Sequence, residues 1–260
     1  MKNAFLIIDA QFDFCNPEGA LFVPGAVEDI QKLAKIINNN LQKIDHIVVT
    51  LDNHPVNDIS HPGFWKDENG NHPNHFTQIT AEEIKNKNWI PQFEFEKALK
   101  YLEALEEEGK FLHFIWPEHC LIGSKGASID DNLLDALKNW TRTGKQYHAV
   151  IKGQNPLTEH FGIFQAQIPI ANAIETQLNK ALIDELLQYD NIYLSGEAKS
   201  HCVATSLKQA MDFAPDLAKK IIVIEDCMSD VPGLGYLGEP VFIEAKKKGI
   251  RFVKSEDLII

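Results

Sequence analysis

The sequence predicts an α/β protein with three layers, in which helices cover both faces of a mainly parallel β-sheet. Short runs of Ile, Val, Leu and Phe recur along the chain, as is typical of strands that are buried on both faces. Amphipathic segments lie between most of these runs, and this alternation favours parallel strands joined by helices. The apolar runs cover residues 4–8, 47–51, 149–151, 192–194 and 221–224.

The segments between the predicted strands include two with helical spacing of apolar residues, at 26–41 and 171–189. A third helix-like segment, CVATSLKQAMDF, follows the run 192–194 after a short turn. By contrast, GKFLHFIWPEHC at 109–120 fits a strand or an extended loop equally well, because its periodicity does not decide between them.

The stretch from about residue 55 to 118 interrupts this alternation. It is dense in His, Asn, Pro and Gly before a helix-like segment, PQFEFEKALKYLEALEEEGK. We therefore expect a single domain over residues 1–260 with an insertion at about 55–118. The polar, turn-rich first part of the insertion should lie over the surface, where it is suited to cover a site.

Composition and charge restrict the classes of partner. The chain has 260 residues, 44% of them hydrophobic, which is enough for a full core, and its formal net charge is −12. That charge argues against binding to nucleic acid or to an anionic membrane, because such partners need clustered Lys and Arg. No apolar stretch approaches the roughly 20 residues that span a bilayer. A small neutral or cationic substrate suits the sequence better.

The cysteines indicate a reducing compartment. The four cysteines, at positions 15, 120, 202 and 227, form no CxxC pair, and the chain begins MKNAFLIIDAQ without the features of a signal peptide. We therefore expect reduced thiols and a cytoplasmic location.

Chemically useful side chains follow four of the predicted strands. Asp9 follows FLII, Asp52 follows VVTL, Lys152 follows AVI, and Cys202 lies a short turn beyond IYL. In an open parallel sheet the carboxyl ends of the strands share one edge, and ligands bind in the crevice there. The four side chains are therefore predicted to converge.

Cys202 has two interpretations. If CVATSLKQAMDF is a helix, the thiol lies in its first turn, where the free amides and the positive end of the helix dipole favour the thiolate. A lone cysteine at such a junction is more often an inert, buried residue. Beside Cys202, the Asp9 carboxylate could take the thiol proton and return it to a leaving amine. The Lys152 cation would favour the charged forms of both groups.

A second group of residues has the chemistry of a metal site. Asp52 and His54 are two apart, so an extended strand would place both on one face, and His119 would complete a set of two imidazoles and one carboxylate. That set suits Zn, Fe or Mn. The spacing alone is weak evidence, because D-x-H occurs by chance. We expect the histidines of the polar insertion, His61, His72 and His75, to be solvated instead of ligating.

Together these segments resemble the isochorismatase-like cysteine hydrolases and, within them, the nicotinamidases. The similarity covers most of the chain outside the insertion, and five motifs occur in the family's order. They are LIIDAQFDF with GALFVPGA, VVTLDNHP, WPEHCLIGSKGA, VIKGQNP and SGEAKSHCV.

The resemblance implies an isochorismatase-like hydrolase fold and a set of site residues. Asp9, Lys152 and Cys202 match the family's catalytic triad. Asp52, His54 and His119 match the metal ligands. The backbone amides of Ala198 and Cys202 match the oxyanion hole, with a cis peptide bond between Glu197 and Ala198. Phe14, Leu21 and Trp116 match residues of the pocket wall. One divalent metal ion, with Zn favoured over Fe or Mn, and a small-molecule amide substrate are implied with them.

The sequence departs from the family pattern at several places. Asp58 stands where many nicotinamidases have a further histidine, Lys199 and Ser200 precede the cysteine, and TEHFGIFQA replaces the more usual Asp-Ser-Tyr-Ser type of run. The main hypothesis is a metal-dependent cysteine amidase acting on nicotinamide or a related aromatic amide. Hydrolysis of another amide or ureido bond, or a non-catalytic metal-binding scaffold, remains as an alternative. The sequence does not decide whether the protein forms a homo-oligomer.

Overall fold

In the computed structural model, which describes residues 1–109 and 112–260, six parallel strands form the central sheet and two short strands form a separate antiparallel pair. The strands of the central sheet are β1 (Asn3–Ile8), β2 (His46–Asp52), β5 (His148–Lys152), β6 (Asn191–Gly196), β7 (Ile221–Ile224) and β8 (Arg251–Val253). The antiparallel pair consists of β3 (Trp65–Lys66) and β4 (Ile90–Pro91).

Helices connect most of the strands. The α-helices are α1 (Phe12–Cys15), α2 (Ala26–Asn39), α3 (Ala81–Lys85), α4 (Phe95–Glu107), α5 (Asp131–Thr141), α6 (Lys180–Leu186), α7 (Ala204–Phe213), α8 (Pro215–Ala218) and α9 (Gly235–Lys247). A π-helical turn, Lys199–Val203, directly precedes α7. Short 3₁₀ turns lie at Pro62–Phe64, Ile174–Thr176 and Ser255–Asp257.

The sheet lies between two apolar layers. Helices α2 and α5 pack on one face, where Trp140 is fully buried, and α6, α7 and α9 pack on the other, around Leu207. All pairings in the sheet are parallel. The predicted three-layer α/β class is therefore confirmed.

The strand order determines where a site can form. The order is β5-β2-β1-β6-β7-β8, so the chain first adds strands on one side of β1 and then returns to add strands on the other. The direction of winding therefore reverses between β1 and β6. Crevices at the carboxyl ends of strands at such a switch point are the usual ligand sites of open α/β sheets.

The segment 55–118 has an apolar cluster of its own, which joins helices α3 and α4 to the loop after β2. Within that loop the carbonyl of Ile59 accepts hydrogen bonds from Trp65 Nε1 (2.6 Å) and His113 Nε2 (3.0 Å). Residues 58–61 are fully buried. The expectation that the first part of the insertion lies over the surface is therefore wrong for these four residues.

Two of the predicted elements differ in extent. Only Lys180–Leu186 of the predicted helix at 171–189 is α-helical, because the Asn179 side chain accepts a hydrogen bond from the amide of Leu182 and caps the helix there. In the ambiguous segment 109–120, residues 112–120 join none of the strands above and make an isolated bridge between Phe114 and Gln78. Lys110 and Phe111 lie outside the described residues.

Over residues 1–109 and 112–260, we find no helix whose length and apolar character would let it cross a membrane.

Candidate active site

The carboxyl ends of three neighbouring strands bring Asp9, Asp52 and Lys152 together. Asp52 and Lys152 end β2 and β5 and are paired in the sheet register. Asp9 follows β1 with φ at 41°, an uncommon conformation for a residue other than glycine, and it turns the chain out of the sheet. All three side chains are buried.

Lys152 is the centre of this group. Its Nζ lies 2.9 Å from Asp9 Oδ2, 3.1 Å from Asp52 Oδ1 and 3.8 Å from Cys202 Sγ. The other Asp9 oxygen, Oδ1, accepts a 2.6 Å hydrogen bond from the Thr50 hydroxyl. The structure thus brings the acid, the amine and the thiol of the predicted triad into one buried cluster.

Burial changes the proton affinity of each member of the cluster. Burial acts to lower the pKa of Lys152, but the Asp52 and Asp9 carboxylates hold it well above its ordinary value. Burial also raises the pKa of Asp9, an effect that the Lys152 ammonium offsets only in part. Lys152 is therefore a cation, and Asp9 is a stronger base than an ordinary carboxylate.

Cys202 lies in the π-helical turn before α7. Burial raises the pKa of its thiol well above the ordinary value, and the nearby Lys152 cation offsets this only in part. Burial therefore opposes the thiolate that the helix position was expected to favour. The resting thiol keeps its proton, and a base must remove that proton before the sulfur can attack a substrate.

Asp52 is held in place by its surroundings. The buried Gln11 side chain accepts from the backbone N–H of Asp52 and donates to its carbonyl, both at 2.7 Å. Gly153, at φ 77°, lies so close that a Cβ there would overlap Asp52 Oδ1. The position needs glycine both for its backbone conformation and for this close approach.

The predicted metal ligands also converge. One ligand atom from each of Asp52, His54 and His119 lies within 4.8 Å of the others, and all three residues are buried. Asp52 Oδ2 is 3.0 Å from His54 Nε2 and 3.9 Å from His119 Nε2. The Nδ1 atom of His119 lies 2.8 Å from the Pro117 carbonyl, which can only accept a hydrogen bond, so Nε2 is left to face Asp52.

Two residues of the insertion stand beside this group. Asp58 Oδ2 is 3.1 Å from His54 Nδ1. His61 is fully buried, and its ring centroid lies 5.2 Å from that of His54 and 5.4 Å from that of His119. The expectation that His61 is solvated is therefore wrong, whereas His72 and His75 are exposed as expected.

A small pocket, part of it open to solvent, joins the cluster around Cys202 to the candidate metal ligands. The predicted pocket residues Phe14, Leu21 and Trp116 lie on its wall with Cys202 and the three candidate metal ligands. Sequence reasoning did not identify four further lining residues as part of the site. These are Glu159, Phe161, His201 and Val231.

Glu159 is the unexpected polar group of this wall. Its Oε2 accepts a 3.2 Å hydrogen bond from Trp116 Nε1, and burial raises its pKa to about 8. The only signal in the sequence was the unusual run TEHFGIFQA after Lys152.

The backbone before Cys202 also faces the cavity. The peptide bond between Glu197 and Ala198 is cis, and Ala198 lines the cavity with Cys202. The amides proposed from the resemblance therefore belong to residues on the same wall as the thiol.

The comparisons with known proteins agree on one enzyme class. The chain is 26% identical over 209 residues to a nicotinamidase of Saccharomyces cerevisiae, and the match covers 80% of this chain and 81% of that protein. No protein-family model matches the chain.

The same class recurs among similar solved structures. The yeast nicotinamidase has a TM-score of 0.66 at 22% identity, with 96% of this chain and 99% of that chain covered. A nicotinamidase/pyrazinamidase of Acinetobacter baumanii has a TM-score of 0.65 at 21% identity, covering 99% and 98% of the two chains. A pyrazinamidase of Pyrococcus horikoshii, solved in complex with zinc, has a TM-score of 0.56 at 20% identity, covering 98% and 99%.

Proposed function

We propose that this protein, which has the isochorismatase-like hydrolase fold, is a nicotinamidase that converts nicotinamide and water to nicotinic acid and ammonia. The observation that carries the proposal is the contact of one buried lysine, Lys152, with both Asp9 and the Cys202 sulfur. The similarity to the yeast nicotinamidase supports the choice of substrate.

In the first half of the reaction Cys202 is the nucleophile. Asp9 takes the thiol proton, and the sulfur attacks the carbon of the substrate amide. The backbone N–H groups of Ala198 and Cys202 donate to the oxygen on which negative charge develops, and each such donor is worth roughly 10²–10³ in rate. Asp9 then gives its proton to the nitrogen, so that ammonia leaves and a thioester remains on Cys202.

In the second half Asp9 acts again as a base. It takes a proton from water, whose oxygen attacks the thioester carbon, and the carbon–sulfur bond breaks to release the carboxylic acid. The sulfur recovers a proton through Asp9, so the protein ends as it began. Throughout, Lys152 keeps its positive charge and stabilises whichever of Asp9 and Cys202 is negative.

The donor set beside the thiol cluster fits a divalent metal ion. Asp52, His54 and His119 offer one oxygen and two nitrogens in a buried group, which suits Zn²⁺, with Fe²⁺ or Mn²⁺ as alternatives. An ion held by these residues would supply Lewis-acid chemistry for the ring nitrogen of the substrate. Phe14 and Trp116 would enclose the aromatic ring, since they line the same pocket as the ligands and the thiol.

Ammonia release from nicotinamide by the purified, metal-loaded protein tests the proposal. We expect turnover by the native protein and none by Cys202→Ala. Cys227→Ala is the matched control, because Cys227 is also buried but lies outside the cavity lining, and it should keep its activity. Turnover that survives Cys202→Ala would exclude the proposed mechanism.

A panel of other aromatic amides and ureido compounds separates the alternatives. Ammonia release from a member of the panel with a much higher kcat/KM than that for nicotinamide would favour a related amidase. Metal binding without release from any member would favour a non-catalytic scaffold.

A further inference from the structure

Asp58 is a buried carboxylate that the proposed reaction does not use. Its Oδ2 lies 3.1 Å from His54 Nδ1. Its other oxygen, Oδ1, accepts hydrogen bonds from the Ser60 amide at 2.9 Å and from the Ser60 hydroxyl at 2.8 Å. Asp58 and Ser60 are fully buried, so the carboxylate is fixed by protein groups alone.

We propose that Asp58 is a positioning residue that fixes the tautomer and ring orientation of His54 for cation binding. This inference rests on the proposed function only in taking Asp52, His54 and His119 as the ligands of a divalent cation. Asp58 itself touches neither the cation nor the substrate.

The argument follows from what each atom can donate. A carboxylate only accepts hydrogen bonds, so His54 Nδ1 must carry the proton that it donates to Asp58. His54 Nε2, which lies 3.0 Å from Asp52 Oδ2, is then the nitrogen whose lone pair can bind a cation. A carboxylate behind a ligating imidazole also makes that imidazole a stronger ligand.

Hydrogen bonds within and around the 58–61 turn hold this contact in place. The amide of His61 donates to the Asp58 carbonyl at 2.9 Å, which closes the turn. The next residue along, Ile59, is anchored through its carbonyl by Trp65 and His113 of the insertion's apolar cluster. The insertion therefore supports His54 through Asp58, although it contributes none of the triad residues.

The Zn²⁺ dissociation constant, measured by competition with a chromophoric chelator and without substrate, tests the proposal. In Asp58→Asn the amide oxygen can still accept from Ser60, but the NH₂ group then faces the Nδ1–H of His54 and forces the wrong tautomer. Loss of such a partner typically weakens metal binding 10- to 100-fold. We expect a loss of about that size, and a dissociation constant within twofold of the native value would overturn the proposal.

Asp67→Asn is the matched control. Asp67 also lies in the insertion and accepts from two backbone amides, those of Asn69 and Asn71, in a similar turn. Asp67 is only partly buried, and Asp67→Asn should leave Zn²⁺ affinity unchanged. An equal loss of affinity in both variants would show that loop structure, and not the contact with His54, is responsible.

Ser60→Ala keeps the test decisive if Asp58→Asn does not fold. It removes one hydrogen bond to Asp58 without touching His54, and a bond of that kind is worth about 2- to 10-fold in an equilibrium. A weakening of Zn²⁺ binding in that range supports the proposal, and an unchanged affinity opposes it.

The number of bound ions provides a second readout. One oxygen each of Asp58 and Glu159 lies within 4.8 Å of a His54 nitrogen, so these residues could themselves hold a cation. We expect one Zn²⁺ per chain in the native protein. If the native protein bound two ions per chain and Asp58→Asn bound only one, Asp58 would be a ligand, and its proposed positioning role would be overturned. Because none of these measurements uses nicotinamide, they stay informative even if the protein does not hydrolyse it.

Discussion

Asp9→Asn tests the proton-transfer step while changing the shape of the site very little. The amide oxygen can still accept the Thr50 hydroxyl, which donates to Asp9 Oδ1 at 2.6 Å. The NH₂ group then takes the place of Oδ2, which lies 2.9 Å from Lys152 Nζ. Lys152 keeps its contact with Asp52 at 3.1 Å, so its charge is not left unpaired.

The expected loss of activity follows from the state of the thiol. General-base catalysis typically contributes about 10²–10⁴ in rate. Burial raises the pKa of Cys202 well above its ordinary value, so little thiolate exists without the base. Asp9 is also proposed to protonate the leaving nitrogen. We therefore expect kcat to fall to the lower limit of detection, at least about 10⁴-fold.

The cost in stability should be smaller than for the loss of an isolated pair. Breaking a buried ion pair costs about 3–5 kcal/mol when it leaves a charge without a partner. In Asp9→Asn the Lys152 ammonium retains Asp52, so the free energy of unfolding should fall by less than that. The variant should therefore fold and can be assayed.

The assay combines ammonia release with metal content for Asp9→Asn and His54→Ala. Asp9→Asn should lose turnover and keep its metal, because the residue is assigned to proton transfer. His54→Ala should lose the metal and weaken substrate binding. Activity of Asp9→Asn within tenfold of the native value, or equal metal loss in both variants, would refute this division of the site.

Three further predictions concern residues that support the site. Gly153→Ala should lower metal affinity and kcat/KM, because its Cβ would overlap Asp52 Oδ1; unchanged values by chelator competition and ammonia assay would contradict this. Gln11→Leu removes the two hydrogen bonds between the Gln11 side chain and the Asp52 backbone. It should lower the free energy of unfolding in urea by about 1–3 kcal/mol for each backbone group left unpaired. An unaltered midpoint and slope of the urea-unfolding curve would contradict this. Burial raises the pKa of Glu197 well above its ordinary value, so its contribution to stability is present at low pH and is lost as pH rises through the folded-state pKa. As pH rises above the ordinary pKa of a glutamate, stability should therefore fall less in Glu197→Gln than in the native protein. Urea-unfolding free energies that change with pH in parallel in the two proteins would contradict this prediction.

The strands of the sheet were predictable because strands buried on both faces leave uninterrupted apolar runs. The five predicted runs all lie within strands of the central sheet, and one of them, Ile221–Ile224, matches its strand exactly in extent. The sixth strand, Arg251–Val253, escaped prediction because it is three residues long and partly exposed. Short edge strands have too little periodicity to separate them from loops.

The residues of the site likewise fall into those that the sequence could predict and those that it could not. Asp9, Asp52 and Lys152 end or follow strands, so the parallel sheet alone determined that they would meet. The environment of Asp58 and His61 could not be derived in this way, since the two residues lie in a polar loop without periodicity. Ile59, which lies between them, belongs to an apolar cluster with helices α3 and α4, and these helices come from a later part of the chain.

Asp52 joins the two halves of the site through one carboxylate. Its Oδ1 faces Lys152 and its Oδ2 faces His54, so it belongs at once to the charge cluster around the thiol and to the candidate metal ligands. A substitution at Asp52 should therefore disturb both the charge balance around Lys152 and the candidate metal ligands. The sheet register that pairs Asp52 with Lys152 makes this connection a consequence of the fold.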